Sequence, residues 1–238
     1  MIGRLFRRLI QLPLLAWQDM ASMVEAIVRN WPGMSGYAIR RTYYRRRLKH
    51  LGRNVRIEPG VRFVGHAYIS IDDGSHIDLE CLICAGPMTN IVSEIRRLSN
   101  PHFTLKDGEV SIGKGVHVAV GCYILGHGGV QIGDYCTCSG GTRILSCTNH
   151  YASYADPGRR DIYFSSRGGA EHTCYIVGPV VLLENVGVAS NCILLPGVTV
   201  SRDSFVGLGS VVHPKNGVFP PNSIVAGNPA ARIRSRFA

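Results

Sequence analysis

The chain has 238 residues, of which 45% are hydrophobic and 18% charged, so it can bury a core and general disorder is excluded. Its 28 Gly, 12 Pro and 8% aromatic residues favour a turn-rich β architecture over a helical bundle. The apolar stretches are too short for a transmembrane helix, and no small-residue cleavage site follows an apolar run near the N-terminus. The sequence therefore predicts a cytoplasmic protein.

The net charge of +10 is concentrated at the N-terminus. Residues 1–56 contain 12 Arg and Lys but only two acidic residues, Asp19 and Glu25, whereas the remaining chain contains 14 residues of each sign. Apolar residues in this segment recur at helical spacing, interrupted by Pro13 and closed by Trp31-Pro32-Gly33; they are Leu5, Phe6, Leu9, Ile10, Met20, Met23, Val24, Ile27 and Val28. Residues 1–54 are predicted to be a basic amphipathic helical extension.

Two interpretations of this extension stay open. One is a helix packed on its own domain with a solvated arginine face, and the other is contact with an anionic membrane, peripheral at its inner face, or with a lipid-linked substrate. Nucleic acid is disfavoured, because no aromatic or groove-reading motif accompanies the arginines.

From residue 57 onward, aliphatic residues recur every six positions. One run has seven members without a slip, with small or β-branched residues four positions after the first six; its members are Ile176, Leu182, Val188, Leu194, Val200, Val206 and Val212. Shorter runs, displaced by two residues, are Ile57, Phe63, Ile69; Ile71, Ile77, Ile83; Ile112, Val118, Ile124; and Ile132, Cys138, Ile144. This period predicts short strands joined by tight turns, each with one inward aliphatic side chain, stacked as coils of a solenoid.

The repeat resembles that of the hexapeptide-repeat acyltransferases over about residues 55–235. The resemblance is most specific in the segments Leu195-Pro196-Gly197-Val198-Thr199-Val200, Gly207-Leu208-Gly209-Ser210-Val211-Val212 and Pro220-Pro221-Asn222-Ser223-Ile224-Val225-Ala226-Gly227-Asn228-Pro229-Ala230. It implies a left-handed parallel β-helix over residues 55–218, with a loop at about 146–175 and a C-terminal segment at 219–238. Handedness comes from the family alone, since the commoner crossover is right-handed. A homotrimer with active sites between subunits is also implied.

Five of the eight cysteines fall on inward positions of the repeat. Cys81, Cys122, Cys136 and Cys192 occupy the small position and Cys138 the aliphatic one, so we interpret them as buried, reduced thiols. The pair Cys81 and Cys84 lacks a second ligand pair at a spacing suitable for zinc. No metal site is predicted.

The repeat is broken between Ile83 and Ile112 and again between Ile144 and Ile176. Insertions in a solenoid leave as loops on one side, often the functional side. The second opens with Leu145-Ser146-Cys147-Thr148-Asn149-His150, which resembles the position of the catalytic histidine in sugar and xenobiotic O-acetyltransferases of the superfamily. A histidine can remove the proton from a poorly nucleophilic sugar hydroxyl near neutral pH. The resemblance therefore predicts His150 as the general base.

Other residues of these loops are candidates for the acceptor side. The candidate acceptor contacts are Asn149, His127, Asp156 and His172. His172 is also a rival base within the second insertion, and Asp156 and Asp161 are the carboxylates near enough in sequence to orient the base. An asparagine that often holds the acceptor in relatives is replaced by the apolar stretch Ala119-Val120-Gly121-Cys122.

The resemblance also implies a site for acetyl-coenzyme A between neighbouring β-helices near the C-terminal coils. By motif, Ser190, Leu208 and Gly209 match positions along the pantetheine arm, and the cations available for its phosphates are Lys215, Arg232, Arg234 and Arg236. His213-Pro214 stands where relatives often have Thr-Lys, a departure within this part of the site.

These features predict an acetyl-coenzyme A dependent O-acetyltransferase for a sugar of a surface polysaccharide or its lipid-linked precursor. The polysaccharide class follows from the leader Trp31 to Leu48, which resembles leaders of polysaccharide-biosynthesis members. Three alternatives stay open: N-acylation of a nucleotide-linked amino sugar, a zinc enzyme like the γ-class carbonic anhydrases, and a non-catalytic β-helix binding module. The histidine spacings do not match the three-histidine zinc motif.

Overall fold

The computed structural model describes residues 19–88, 94–165 and 167–237. Residues 19–30 are helical (α1), and after Trp31 and Pro32 a second helix, α2, spans Gly33–Arg45. The first helix ends where the sequence predicts, since the residue before a proline disfavours helical backbone. The predicted helical residues between Leu5 and Ile10 lie outside the described part of the chain.

The rest of the described chain is built from short strands and three single-turn 3₁₀ helices, at His66–Tyr68, Ala170–His172 and Pro214–Asn216. The strands are, in chain order, β1 (His50–Leu51), β2 (Arg56–Ile57), β3 (Arg62–Val64), β4 (Ile69–Ile71), β5 (His76–Ile77), β6 (Leu82–Cys84), β7 (Glu94–Arg97), β8 (Val110–Ile112), β9 (His117–Val118), β10 (Tyr123–Leu125), β11 (Val130–Ile132), β12 (Thr137–Cys138), β13 (Arg143–Leu145), β14 (Cys147–His150), β15 (Cys174–Val177), β16 (Val180–Leu182), β17 (Gly187–Val188), β18 (Ile193–Leu194), β19 (Thr199–Val200), β20 (Phe205–Val206), β21 (Val211–Val212), β22 (Ser223–Gly227) and β23 (Ala230–Ser235).

Most of the strands stack in parallel as the three faces of a β-helix. Face A has the order β1-β4-β8-β11-β16-β19, face B begins β2-β5-β9-β12-β17-β20, and face C contains β3-β6-β10-β13-β18-β21. Every turn of the helix thus visits A, B and C in sequence, and backbone groups pair with the coil above and below. The predicted solenoid of stacked coils is confirmed.

The inward aliphatic residues form one continuous core. Ile77, Ile83, Val118 and Ile144 are each 0% exposed, as the six-residue period predicts. The two-residue displacement between runs arises on face A, where strands such as β4 bury both of their end residues.

Ile176 is an exception, because the structure contradicts its assignment to the core. It is only half-buried and lies in β15, paired with Thr148 and Arg96 in a separate sheet, so the regular series begins at Leu182. The six-residue spacing from Ile176 to Leu182 does not reflect the repeat, because the chain rejoins the β-helix only at β16.

The cysteines behave as predicted in the core. Cys81, Cys122, Cys136, Cys138 and Cys192 are free and buried. The Cys81 thiol donates to the Ala119 carbonyl at 3.1 Å and the Cys136 thiol to the Leu183 carbonyl at 3.0 Å, each on the next coil. Burial raises the pKa of the Cys136 thiol to about 11, which keeps it protonated near neutral pH.

Further elements pack against both ends of the β-helix. The first strand begins at His50, ahead of the predicted start at 55, and α2 is anchored on the first coil by Arg40, which is 1% exposed and donates to the Ile57 carbonyl at 2.7 Å. At the other end, β22 pairs in parallel with β20 and β23 returns antiparallel to it. The C-terminal segment therefore extends face B.

Both insertions leave the β-helix at the corner between faces C and A, after β6 and after β13. They fold together, because β7 of the first insertion pairs in parallel with β15 of the second, and β15 pairs antiparallel with β14. Lys49 joins the first insertion to the helical extension through an ion pair with Glu109 at 2.6 Å. This small sheet carries Asn149 and His150, both on β14.

Candidate active site

One row of residues crosses the small sheet and ends at His150. Cys174 of β15 is the register partner of Glu94 on one side and of His150 on the other. Register partners in a sheet point to the same face, so strand pairing alone brings the Glu94 carboxylate to the side of the sheet that carries His150.

The His150 ring is half-buried and fixed by a backbone bond. Its Nδ1 lies 2.8 Å from the Ala152 carbonyl oxygen, and its ring stacks on Tyr154 with centroids 4.3 Å apart. The Ala152 amide nitrogen lies 3.3 Å from the same Nδ1. The shorter contact is to the carbonyl oxygen, which only accepts hydrogen bonds, so the geometry favours the tautomer with its proton on Nδ1 and a lone pair on Nε2. Within the described residues, Nε2 has no hydrogen-bond partner. The arrangement suits a proton acceptor.

Glu94 holds the turn that follows His150. Its carboxylate accepts hydrogen bonds from the Ser153 hydroxyl at 2.6 Å, from the Ala155 amide at 2.8 Å and from the Tyr154 amide. The Ser153 hydroxyl, together with the two amides, holds the pKa of the Glu94 carboxyl below its usual value, against a smaller opposing effect of burial. Arg96, two residues along β7, lies over the Tyr154 ring at 4.7 Å.

We expect Glu94→Gln to lower kcat by up to about 10²-fold, because the turn that carries Ala152 and Tyr154 loses its ionised acceptor and His150 shifts from its position. The lowered pKa means that the Glu94 contribution is complete above the ordinary carboxyl pKa and disappears only as the pH falls through the lowered value. The ratio of wild-type kcat to variant kcat should therefore stay constant from neutral to mildly acid pH and fall only at lower pH. Measuring kcat of both proteins against pH checks this.

Glu109→Gln is the matched control for Glu94→Gln. Glu109 is a carboxylate of the same insertion that also accepts a backbone amide, but it pairs with Lys49. Equal losses of kcat in the two variants, with the same pH profile, would mean that the first insertion matters only for stability.

The carboxylates expected to orient His150 lie elsewhere, so that expectation is wrong. Asp156 accepts from the Gly158 amide at 3.0 Å in its own turn, and Asp161 pairs with Arg159 at 2.6 Å and with His172 Nδ1 at 2.9 Å. The Arg159 guanidinium lowers the pKa of Asp161 to about 2. The Nδ1 atom of His150 contacts a backbone carbonyl instead of a carboxylate, because the Ala152 carbonyl is only two residues away.

Of the two candidate bases, His172 rather than His150 has a carboxylate partner among the described residues. Asp161 contacts its Nδ1, and Glu171 Oε1 lies 3.7 Å from its Nε2. Its ring also packs on Tyr163 with centroids 4.8 Å apart. Since both nitrogens face carboxylates, this geometry suits a residue that holds the loop together rather than a proton acceptor.

Asn149 and His127 lie on the same side of the β-helix as His150. The exposed Asn149 donates to the Phe164 carbonyl at 3.3 Å, within the second insertion. His127 is at the corner between β10 and β11, where its Nδ1 lies 2.8 Å from the Gly86 carbonyl oxygen. The corner admits no larger residue at Gly129, whose φ is +94° and whose added Cβ would clash with the Phe103 ring.

Three of the predicted donor residues lie together on the opposite side of face C. Ser190 and Gly209 occupy the same turn, between faces B and C, on successive coils, and the Gly209 amide donates to the Ser190 carbonyl at 3.0 Å. Leu208 beside them is 73% exposed. Face C thus separates this turn from the corner of His150.

The predicted cations do not form one cluster. Lys215 lies in the 3₁₀ helix after β21, at the corner between faces C and A, whereas Arg232 and Arg234 belong to β23 at the end of face B. Arg232 donates to the Ser223 hydroxyl at 3.1 Å, and Arg236 to the Asp203 carbonyl at 3.3 Å. A single chain therefore presents these charges at two separate places.

Sequence reasoning missed Glu94, Ser153 and Tyr154. Ser153 is 5% exposed and Tyr154 follows it in an irregular turn. No periodic pattern covers these residues, and Glu94 comes from the other insertion, so only strand pairing reveals the connection. In the described ranges, no group of three His, Cys, Asp or Glu side chains is placed to bind a metal ion.

Comparison with known proteins gives consistent relatives. No family model matches the chain. Over 189 residues it is 28% identical to the dTDP-4-amino-4,6-dideoxy-D-glucose acyltransferase of Escherichia coli, covering 79% of this chain and 82% of that protein. It is also 28% identical over 137 residues to an acetyltransferase-named protein of Staphylococcus aureus strain Mu50, covering 58% of this chain and 60% of that one.

Solved structures share the fold. The N-acyltransferase AntD of Bacillus cereus, in complex with dTDP and 3-hydroxybutyryl-CoA, superposes with a TM-score of 0.64 at 18% identity, covering 82% of this chain and 87% of AntD. A maltose O-acetyltransferase of Clostridium difficile 630 superposes with a TM-score of 0.54 at 17% identity, covering 93% and 88%.

The repeat, the three-faced stack and these neighbours define a left-handed parallel β-helix, as the resemblance implied. In sequence and in fold the chain is thus similar to acyltransferases that act on sugars.

Proposed function

We propose that the protein transfers the acetyl group of acetyl-coenzyme A to a sugar hydroxyl, in the biosynthesis of a surface polysaccharide or its lipid-linked precursor, with His150 as general base. The observation that carries this proposal is the contact of His150 Nδ1 with the Ala152 carbonyl oxygen at 2.8 Å, which supports Nε2 as the proton acceptor. A hydroxyl needs such a base because it is almost fully protonated near neutral pH.

In the proposed reaction, Nε2 of His150 removes the hydroxyl proton while the sugar oxygen attacks the thioester carbonyl. The resulting tetrahedral oxyanion collapses, the carbon–sulfur bond breaks, and the coenzyme A sulfur leaves with the proton returned by His150. The Ala152 carbonyl stabilises the imidazolium between these steps, because its oxygen accepts a hydrogen bond from the Nδ1–H group.

The donor would lie along face C. The turn of Ser190 and Gly209 flanks this face on one side and the second insertion flanks it on the other, so a donor on face C would have its thioester near His150. AntD binds coenzyme A and 3-hydroxybutyryl-CoA, which supports a coenzyme A thioester as donor class. The separation of Lys215 from Arg232 supports a site completed by a neighbouring copy, as in the predicted homotrimer.

N-acylation of a nucleotide-linked amino sugar is the second candidate. The Escherichia coli relative is named for dTDP-4-amino-4,6-dideoxy-D-glucose, and AntD has been solved with that sugar nucleotide and coenzyme A. An amine is a better nucleophile than a hydroxyl, so its transfer depends less on a base at His150.

The test is an acceptor comparison with acetyl-coenzyme A as donor, in which free thiol release is followed for a neutral sugar panel and for dTDP-4-amino-4,6-dideoxyglucose. Saturable turnover that requires a hydroxyl acceptor, with an ester product by mass spectrometry, is the expected result. An amide formed at much higher kcat/KM on the amino sugar would replace O-transfer by N-transfer. If no thiol is released with either class of acceptor, both candidate functions are contradicted.

A further inference from the structure

Helix α1 presents an apolar stripe to solvent. The stripe consists of Met20, Met23, Val24 and Ile27, at helical positions i, i+3, i+4 and i+7, which share one face, and of the exposed Trp31 just after the helix ends. Met23 is 66% exposed and Ile27 58%, so these side chains are not packed on the β-helix. A helix on a soluble domain ordinarily turns such a face inward.

The inward side of α1 is instead charged. Glu25 lies 3.3 Å from His66 Nε2 and within 3.5 Å of the Tyr44 hydroxyl, and the Arg29 carbonyl accepts the Gly60 amide. The orientation of α1 is thus set by polar contacts on the first coil, with its apolar stripe facing away from the core.

Positive charge lies next to this stripe. A groove of about 590 Å³ between α1 and α2 is lined by Val28, Ala38, Ile39, Thr42, Tyr43, Arg46 and Arg47. Val28 is one turn along α1 from Val24, so the groove connects the stripe with the arginines. In the part of the chain that the structure describes, exposed Arg45, Arg46 and Arg47 form no ion pair.

We propose that the α1–α2 hairpin docks on an anionic lipid bilayer, with the apolar stripe in the boundary between headgroups and acyl chains and Arg46 and Arg47 on lipid phosphates. Charge complementarity favours an anionic bilayer over a second copy of this chain as the partner of the hairpin. Residues 19–56 contain nine Arg or Lys against Asp19 and Glu25, and a second copy brings the same positive excess to the contact. No helix in the described ranges has the length and apolar character to cross a bilayer.

The test is flotation of the full-length protein with vesicles of phosphatidylcholine alone and of phosphatidylcholine with phosphatidylglycerol. Wild type should float with the anionic vesicles and lose flotation as salt is raised. Met23→Glu with Ile27→Glu, and separately Arg46→Ala with Arg47→Ala, should each reduce partitioning by at least roughly tenfold.

Val218→Glu is the matched control, because Val218 is 52% exposed at the other end of the chain and should float like wild type. Circular dichroism confirms that each variant is folded, and light scattering reports its mass. Equal flotation on both vesicles, or wild-type flotation of the stripe variant, would overturn the proposal. The proposal would also be overturned if the Met23→Glu, Ile27→Glu variant had a lower mass than wild type but the same flotation, because the stripe would then be an interface between copies of the chain.

Discussion

Replacing His150 by alanine or asparagine is expected to lower kcat for a hydroxyl acceptor by roughly 10²- to 10⁴-fold, the range of a lost general base. Asparagine matters here because it keeps a polar side chain of similar size beside Tyr151 and Tyr154 but cannot take a proton. KM for acetyl-coenzyme A should change little, since the predicted donor residues lie across face C. Steady-state kinetics with thiol detection measures both constants.

His172→Ala is the internal comparison for this experiment. It removes a second histidine of the same insertion that already contacts Asp161 at Nδ1. We expect a loss of stability with little change in kcat per folded molecule. If His172→Ala abolishes turnover while His150→Asn retains it, the roles of the two histidines are reversed.

Ile144→Ala is expected to destabilise the β-helix by about 2–5 kcal/mol, the usual cost of truncating a fully buried isoleucine to alanine. Ile144 is 0% exposed, and it stacks between Ile124 and Leu194 of the neighbouring coils. The cavity therefore weakens two coil–coil contacts in the middle of the stack, where neither terminal coil can relax to fill it. Urea unfolding followed by circular dichroism measures the change.

Arg143→Ala controls for this change on the same strand. Arg143 precedes Ile144 in β13 but points outward and is exposed. Its removal should alter the free energy of unfolding by no more than about 0.5 kcal/mol. A comparable loss in both variants would show that β13 contributes through its backbone rather than through the core.

The extent of prediction differs between the coils and the insertions. Ile77, Val118 and Leu194 could be assigned to the core because each turn of a solenoid repeats the same local environment, and the period of six is visible without any long-range information. Ile176 carried the same signal and was assigned wrongly. The spacing of residues shows only their distance along the chain. At Ile176 the chain still lies in the small sheet and has not yet rejoined the stack of coils.

The candidate site divides in the same way. His150 was predicted from the motif around it, whereas the carboxylate beside its turn was sought among Asp156 and Asp161 and found at Glu94 in the other insertion. No local sequence pattern could indicate the position of Glu94, because it depends on how two separate insertions pair. The register of β7 on β15 is set by the folded path of both loops.

The sequence by itself therefore determined the stacked coils, their buried aliphatic and thiol residues, and the concentration of positive charge in the N-terminal segment, since each follows from local periodicity or composition. Only the tertiary structure decided the pairing of the two insertions, the contact of Glu94 with the turn that follows His150, and the outward orientation of the α1 stripe. These three depend on contacts between residues far apart in the chain, where hydrogen-bond geometry and packing select one arrangement among many that the same pattern allows.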